Sequence, residues 1–143
     1  MTTNGMERSY LRRAAIILRE AERLATDSAW NLVVRRCQEA VELALKGILR
    51  GAGAEIPKVH DVSRALRQNA HRLPPAIAAA LDALVSASRR LREERELAFY
   101  GDEETDTEAE ALFSQADGDE ALTLARWVVG LCFGTTDKGT ASA

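Results

Sequence analysis

With 143 residues, of which 46% are hydrophobic and 5% aromatic, the chain is long enough to form one domain with a buried core. The formal net charge is −3, but residues 1–72 hold an excess of Lys and Arg and residues 73–143 an excess of Asp and Glu. This charge distribution excludes the strongly basic class of nucleic-acid-binding proteins that can be recognised from charge alone. No apolar run approaches the roughly 18 residues that a membrane-spanning helix needs.

The two cysteines, Cys37 and Cys132, both lie within apolar helical patterns. They are expected to be buried thiols, because a disulfide framework belongs to secreted proteins and no signal-peptide pattern is present. We therefore expect a soluble, cytoplasmic protein with no membrane partner.

The helix predicted over 28–50 is the element around which the other helices should pack. Its apolar residues recur at steps of three and four: Trp30, Val33, Cys37, Val41, Ala44 and Ile48. Neighbouring leucines and valines widen this stripe beyond one face, which is typical of a central helix packed on more than one side. Gln38, Glu42 and Lys46 stand four residues apart on one polar edge, where their side chains can bond to one another.

Four further helices are predicted from the same periodicity. A first amphipathic helix covers 6–25, a short helix covers 61–71, a long helix covers 75–99 and a last helix covers 114–133. The segment 102–110 is acidic and rich in threonine, which favours a loop with at most one helical turn.

These elements predict an all-α fold, an antiparallel up-and-down four-helix bundle with an additional short helix. The bundle should occupy residues 6–133. Residues 1–5 are expected to be a flexible N-terminus, and residues 134–143 a disordered C-terminal tail.

Signatures of common enzyme classes are missing. The sequence has neither a phosphate-binding GxxxxGK[ST] loop nor a GxGxxG motif. His60 and His71 are the only histidines, and neither has the spacing of a closed metal site, so we expect no metal ion and no cofactor. His60 lies just before a helix start, where its ring is expected to bond to backbone groups.

Two segments resemble the HEPN domain family. In that family the second helix carries glutamine, glutamate and lysine at four-residue steps, here Gln38, Glu42 and Lys46. A proline–basic–x–histidine–aspartate turn then leads into a short helix, and the matching sequence here runs from Pro57 to Asp61. Helix number and order are also similar over about residues 6–133.

The resemblance implies a site at the end of the long later helix. Catalytic HEPN domains are metal-independent ribonucleases with an arginine, four residues and a histidine, and their dimers bring two such motifs into one cleft. The arginine can stabilise phosphate charge, and the histidine can move the proton of the ribose 2′-hydroxyl. Here Arg95 occupies the arginine position, and Tyr100 stands where histidine belongs.

These residues leave three functions open. A phenol, with a pKa of about 10, is a poor general base at neutral pH, which favours a HEPN-like homodimer that binds a nucleotide, RNA or a partner protein with weak or lost ribonuclease activity. The candidate binding residues are Gln38, Glu42, Lys46, Arg92 and Asp102. The second possibility is an active endoribonuclease toxin that uses Arg95 and Tyr100. The third is a plain oligomerisation module, in which Arg95 pairs with Glu42 or Asp102 and Tyr100 closes the end of the bundle.

The resemblance also implies a genetic setting. HEPN proteins are often encoded beside a small nucleotidyltransferase in toxin–antitoxin or defence pairs, so a nucleotidyltransferase-type antitoxin is the expected protein partner.

Overall fold

A computed structural model describes the backbone of residues 2–142 and the side chains of residues 5–136. This part of the chain forms α-helices and no strand, which confirms the predicted all-α class. The helices are α1 (Thr2–Thr26), α2 (Trp30–Gly51), α3 (Ser63–Gln68), α4 (Pro75–Ala79), α5 (Leu81–Glu93), α6 (Arg95–Tyr100), α7 (Ala109–Leu112) and α8 (Gln115–Ser142). A 3-10 turn at Ala70–Arg72 separates α3 from α4.

Helix α2 is central, as its broad apolar pattern predicted. It contacts α1, α5, α6, α7 and α8. Its fully buried side chains include Val33, Cys37, Val41, Leu45 and Leu49. Their burial removes apolar surface from water on several sides of one helix, which is the main force that holds the other helices against it.

The long helices α1 and α2 run antiparallel. Near one end of the pair, Glu20 and Arg36 form an ion pair of 3.7 Å, and near the other end Tyr10 packs against Gly47. The three-residue link between the helices enforces this arrangement, because so short a connection can only reverse the chain direction.

Helix α8 also runs antiparallel to α1. Arg126 donates hydrogen bonds to Glu22, and ten residues further along α8 Thr136 donates to Glu7 in the first turns of α1. At the start of α8, Arg90 of α5 pairs with Glu120. These contacts place the end of α5 beside the beginning of α8.

The predicted helix over 75–99 is wrong as a continuous element, because the backbone breaks it into α4, α5 and α6. At Ala80 the dihedrals are φ −100° and ψ 13°, and at Glu94 they are φ −88° and ψ −4°. The N–H of Ala80 bonds to the carbonyl of Ile77, three residues back, so the turn is tighter there than in an α-helix. The second break ends α5 at Glu93, and α6 starts at Arg95.

Several predicted boundaries shift. Helix α1 begins at Thr2 rather than residue 6, and α8 continues to Ser142 rather than ending at residue 133. The flexible N-terminus predicted for residues 1–5 and the disordered tail predicted for residues 134–143 stay predictions, because most of their side chains lie outside the described residues. Over residues 2–142, no helix combines the length and the apolar character needed to cross a membrane.

Gly101 ends α6 and turns the chain into the acidic segment. Its φ is +75°, a conformation that side-chain-bearing residues rarely adopt. Asp102 and Thr107 then exchange two backbone hydrogen bonds of 2.9 Å, which close the segment into a short hairpin-like turn before α7.

Candidate functional site

The polar edge of α2 forms the predicted ladder of hydrogen bonds. Gln38 Nε2 donates to Glu42 Oε1 at 2.8 Å, and Lys46 Nζ donates to Glu42 Oε2 at 2.9 Å. The Glu42 side chain is only 14% exposed. Glu42 is thus a largely buried carboxylate with a partner on each oxygen, which is how a buried charge is tolerated.

His60 joins this ladder from the loop between α2 and α3. Its Nδ1 lies 3.0 Å from Glu42 Oε1, so the expectation that the ring bonds to backbone groups is wrong. Gly53, with φ +76°, turns the chain after α2 and allows the loop to fold back over the polar edge. Because an ionised carboxylate can only accept, Nδ1 donates in this bond, and in the neutral ring Nε2 is then the acceptor.

Arg95 and His60 line the same cavity. It has a volume of about 170 Å³, and Glu39, Glu42 and Leu43 complete its wall. The Nη1 atom of Arg95 donates to Glu96 Oε1 at 2.5 Å, whereas its Nε atom is buried and has no hydrogen-bond partner among the described residues. The guanidinium pairs with the neighbouring Glu96, so the predicted pairing of Arg95 with Glu42 or Asp102 is wrong.

Two polar residues of α2 hold α6 in place. Asn31, which is buried, donates to the carbonyl of Ala98 at 3.1 Å, and Arg35 donates to the carbonyl of Arg95 at 2.9 Å. The guanidinium of Arg35 also lies 4.9 Å from the centroid of the Phe99 ring.

Sequence reasoning missed these two positioning residues, although a signal was available. Asn31, Arg35, Gln38 and Glu42 follow one another at steps of four, three and four, so they share one face of the helix. The polar edge is therefore longer than predicted, and its first half orients the segment that carries Arg95.

Tyr100 lies in a different environment from Arg95. It is 61% exposed and contacts Phe99 edge to face, with ring centroids 4.9 Å apart. It lines an open, acidic cavity together with Glu96, Asp102 and other residues of the 96–104 segment. Five residues along a helix correspond to a rotation of about 140° from the starting direction, so within one chain the two residues of the motif point apart.

The other candidate binding residues are separated as well. Arg92 is exposed beside Asp61, whereas Asp102 accepts backbone N–H groups of Glu104 and Thr105 and so shapes the acidic turn. Burial raises the pKa of Asp61, but the Ser63 hydrogen bonds and the positive charges of Arg89 and Arg92 outweigh this, and the net pKa is lowered. Arg92 thus extends a positive surface next to the His60 loop.

The cysteines play no part in this site. Cys37 and Cys132 are buried free thiols, as predicted, and burial raises the pKa of each to about 12. In the part of the chain that the structure describes, no group of three or more His, Cys, Asp or Glu side chains is arranged to hold a metal ion.

The fold and the site define a helical domain whose second long helix presents a glutamine–glutamate–lysine edge to an arginine on a later short helix. The HEPN domain profile matches residues 7–132, and the chain belongs to the HEPN domain family. No curated protein and no solved structure matches the chain significantly.

Proposed function

We propose that this HEPN protein is a homodimer that binds RNA or a nucleotide through the cavity of Arg95 and His60, with weak or lost ribonuclease activity through its Arg95–Tyr100 motif. HEPN domains are generally linked to nucleotide or RNA binding or to RNase activity. The biological setting we propose is a toxin–antitoxin or defence-type module with a nucleotidyltransferase-type protein as partner.

The observation that carries the binding proposal is the unsatisfied guanidinium of Arg95. Its Nε atom is buried without a hydrogen-bond partner beside an open cavity. A buried donor without an acceptor costs about 1 to 3 kcal/mol, and a phosphate oxygen in the cavity would satisfy it with a charge-assisted bond after a small rotation of the side chain.

The position of Tyr100 supports weak cleavage by the family motif. Glu96, Asp102, Glu103 and Glu104 share the cavity that Tyr100 lines, and their negative charges disfavour a nearby phosphodiester. A phenol in such surroundings is a poor acceptor for the proton of a ribose hydroxyl.

Arg95→Ala is expected to weaken binding of a labelled single-stranded RNA by about 10- to 100-fold, because a charge-assisted hydrogen bond contributes roughly 1.5 to 3 kcal/mol. Fluorescence anisotropy at fixed salt measures the affinity, and a panel of nucleoside mono-, di- and triphosphates as competitors separates RNA from nucleotide binding.

Arg90→Ala is the matched control. Arg90 is an exposed arginine one helix away and pairs with Glu120, so its loss should change the affinity by less than about threefold. Equal losses for the two variants would show that binding depends on overall charge only, and an absence of binding by the wild-type protein would favour a plain oligomerisation module. Rapid RNA cleavage that requires both Arg95 and Tyr100 would favour the endoribonuclease toxin.

A dimer is expected because α6 exposes three large apolar side chains next to the motif: Leu97, Phe99 and Tyr100. Multi-angle light scattering at micromolar concentration should give about twice the 15.6 kDa mass of the chain. Phe99→Asp should shift this mass toward the monomer, whereas the same substitution at the exposed Ile16 of α1 should not. A monomeric wild-type protein would contradict the proposal.

A further inference from the structure

Glu42 and His60 form a carboxylate–imidazole pair at the edge of the Arg95 cavity. Glu42 is fixed by Gln38 and Lys46, and it orients the His60 ring through Nδ1. The His60 side chain is 49% exposed and lines the Arg95 cavity. A carboxylate that holds one imidazole nitrogen in this way selects the tautomer in which the other nitrogen can take up a proton.

The remaining charges of the cavity wall are already paired. Glu39 accepts from Arg36 at 2.7 Å and lies 3.7 Å from Arg35, and Lys46 is bound to Glu42. Among the residues that line the cavity, the Nε2 atom of His60 and the Nε atom of Arg95 are therefore the polar groups that can still bond to a ligand.

Positive charge next to the His60 loop favours a polynucleotide over a single phosphate group. Arg89 and Arg92 lie near Asp61, the residue after His60, and neither makes an ion pair with a described carboxylate within 4.0 Å. Each is therefore available to pair with a backbone phosphate of a polynucleotide that extends past the His60 loop.

We propose that His60, oriented by Glu42, is the proton-accepting catalytic residue of this site, and that with Arg95 it supports slow, metal-independent transesterification of RNA. This inference rests on the proposed RNA binding and assigns the chemistry to the Arg95–His60 cavity in place of Tyr100. It uses residues that lie on three separate elements, namely α2, the loop after it and α6.

The reaction balances with groups that the site and water supply. The ribose 2′-oxygen attacks the adjacent phosphorus while its proton passes to Nε2 of His60, and the bond from phosphorus to the 5′-oxygen breaks. Arg95 stabilises the negative charge that develops on the phosphate oxygens. The leaving 5′-oxygen takes a proton from water, and the imidazolium returns its proton to the hydroxide so formed. The products are a 2′,3′-cyclic phosphate and a 5′-hydroxyl end.

The test is cleavage of an end-labelled RNA by the full chain in excess over substrate, in buffer with EDTA. His60→Gln is expected to lower the cleavage rate by about 100-fold or more, since a general base contributes typically 10² to 10⁴. The glutamine amide can still donate to Glu42 but cannot accept the proton, so RNA affinity and thermal melting should stay close to wild type.

Two controls isolate the role of His60. His71→Gln removes the only other histidine, which is exposed, and it should leave the rate within about threefold of wild type. An RNA with a single 2′-deoxyribose at the cleavage position should remain intact there. Glu42→Gln tests the positioning residue: the ends should still be 2′,3′-cyclic phosphates, at a lower rate.

Two results would overturn the inference while the proposed function stands. One is Arg95-dependent RNA binding by a wild-type protein that leaves RNA intact, and the other is cleavage that persists in His60→Gln but is lost in Tyr100→Phe. If the wild-type protein binds no RNA, the proposed function and the inference both fail. Cleavage that depends on His60 and Arg95 and yields cyclic-phosphate ends supports the inference.

Discussion

Glu42→Ala should lower the free energy of unfolding by about 2 to 4 kcal/mol, because it leaves the Lys46 ammonium and the Gln38 amide without their acceptor. Both groups are largely shielded from water: Gln38 is buried, and the Lys46 side chain is 12% exposed. Removal of one member of a buried charge pair costs more than the pair itself contributes, since the remaining charge stays desolvated. Urea denaturation followed by circular dichroism measures the loss.

Glu39→Ala is the control for this prediction. Glu39 lies three residues before Glu42 on the same helix and pairs with Arg35 and Arg36, but the pair is more open to solvent. Its replacement should cost less than about 1 kcal/mol. A loss at Glu42 no larger than the loss at Glu39 would mean that the ladder contributes little to the fold and serves only to orient His60.

Gly101→Ala should destabilise the protein by about 2 to 4 kcal/mol. The φ of +75° is strained for any residue with a Cβ atom, and a Cβ here would lie 2.5 Å from the carbonyl oxygen of Thr107 and 2.9 Å from the amide nitrogen of Ala109. Both atoms belong to the backbone, so neither can move aside without disturbing the acidic turn.

Gly53→Ala separates these two causes. Gly53 has nearly the same φ, +76°, but no atom lies within 4 Å of a Cβ built there. Its replacement should therefore cost only the backbone strain, about 1 to 2 kcal/mol. Equal losses at the two glycines in thermal or urea unfolding would contradict the close packing of the acidic turn against the end of α6.

Much of the fold could be predicted from α2 alone. Its apolar residues occur at helical spacing all round the helix apart from one polar edge, and burial of those residues accounts for the central position of α2. The ladder of Gln38, Glu42 and Lys46 could be predicted too, since four-residue spacing determines which side chains of a helix are neighbours.

The breaks in the helix predicted over 75–99 could not be predicted. Neither Ala80 nor Glu94 is a helix breaker by type, so local propensity gives no signal there. The carbonyls of Arg95 and Ala98 instead accept from Arg35 and Asn31, residues about 60 positions earlier in the chain. A helical segment that is held by such distant partners depends on tertiary packing.

The assignment of Arg95 and Tyr100 as a functional motif stays a prediction. Family resemblance drew attention to Arg95 and Tyr100 as one motif, but within a chain they line different cavities. The position of His60 beside Glu42 depends on how the loop after α2 folds back, and loop geometry of this kind is not encoded in side-chain periodicity. That His60 and Arg95 line one cavity is therefore evident only from the three-dimensional arrangement.

Side-chain NMR during titration with a short single-stranded RNA tests the site most directly. The Nε–Hε resonance of Arg95 and the imidazole resonances of His60 can be assigned through the variants Arg95→Ala and His60→Gln. If RNA occupies the proposed cavity, both sets of resonances should shift with one common affinity, while those of His71 stay unchanged. Shifts confined to Tyr100 and the acidic segment 102–107, with Arg95 and His60 unaffected, would contradict a phosphate site formed by these two residues.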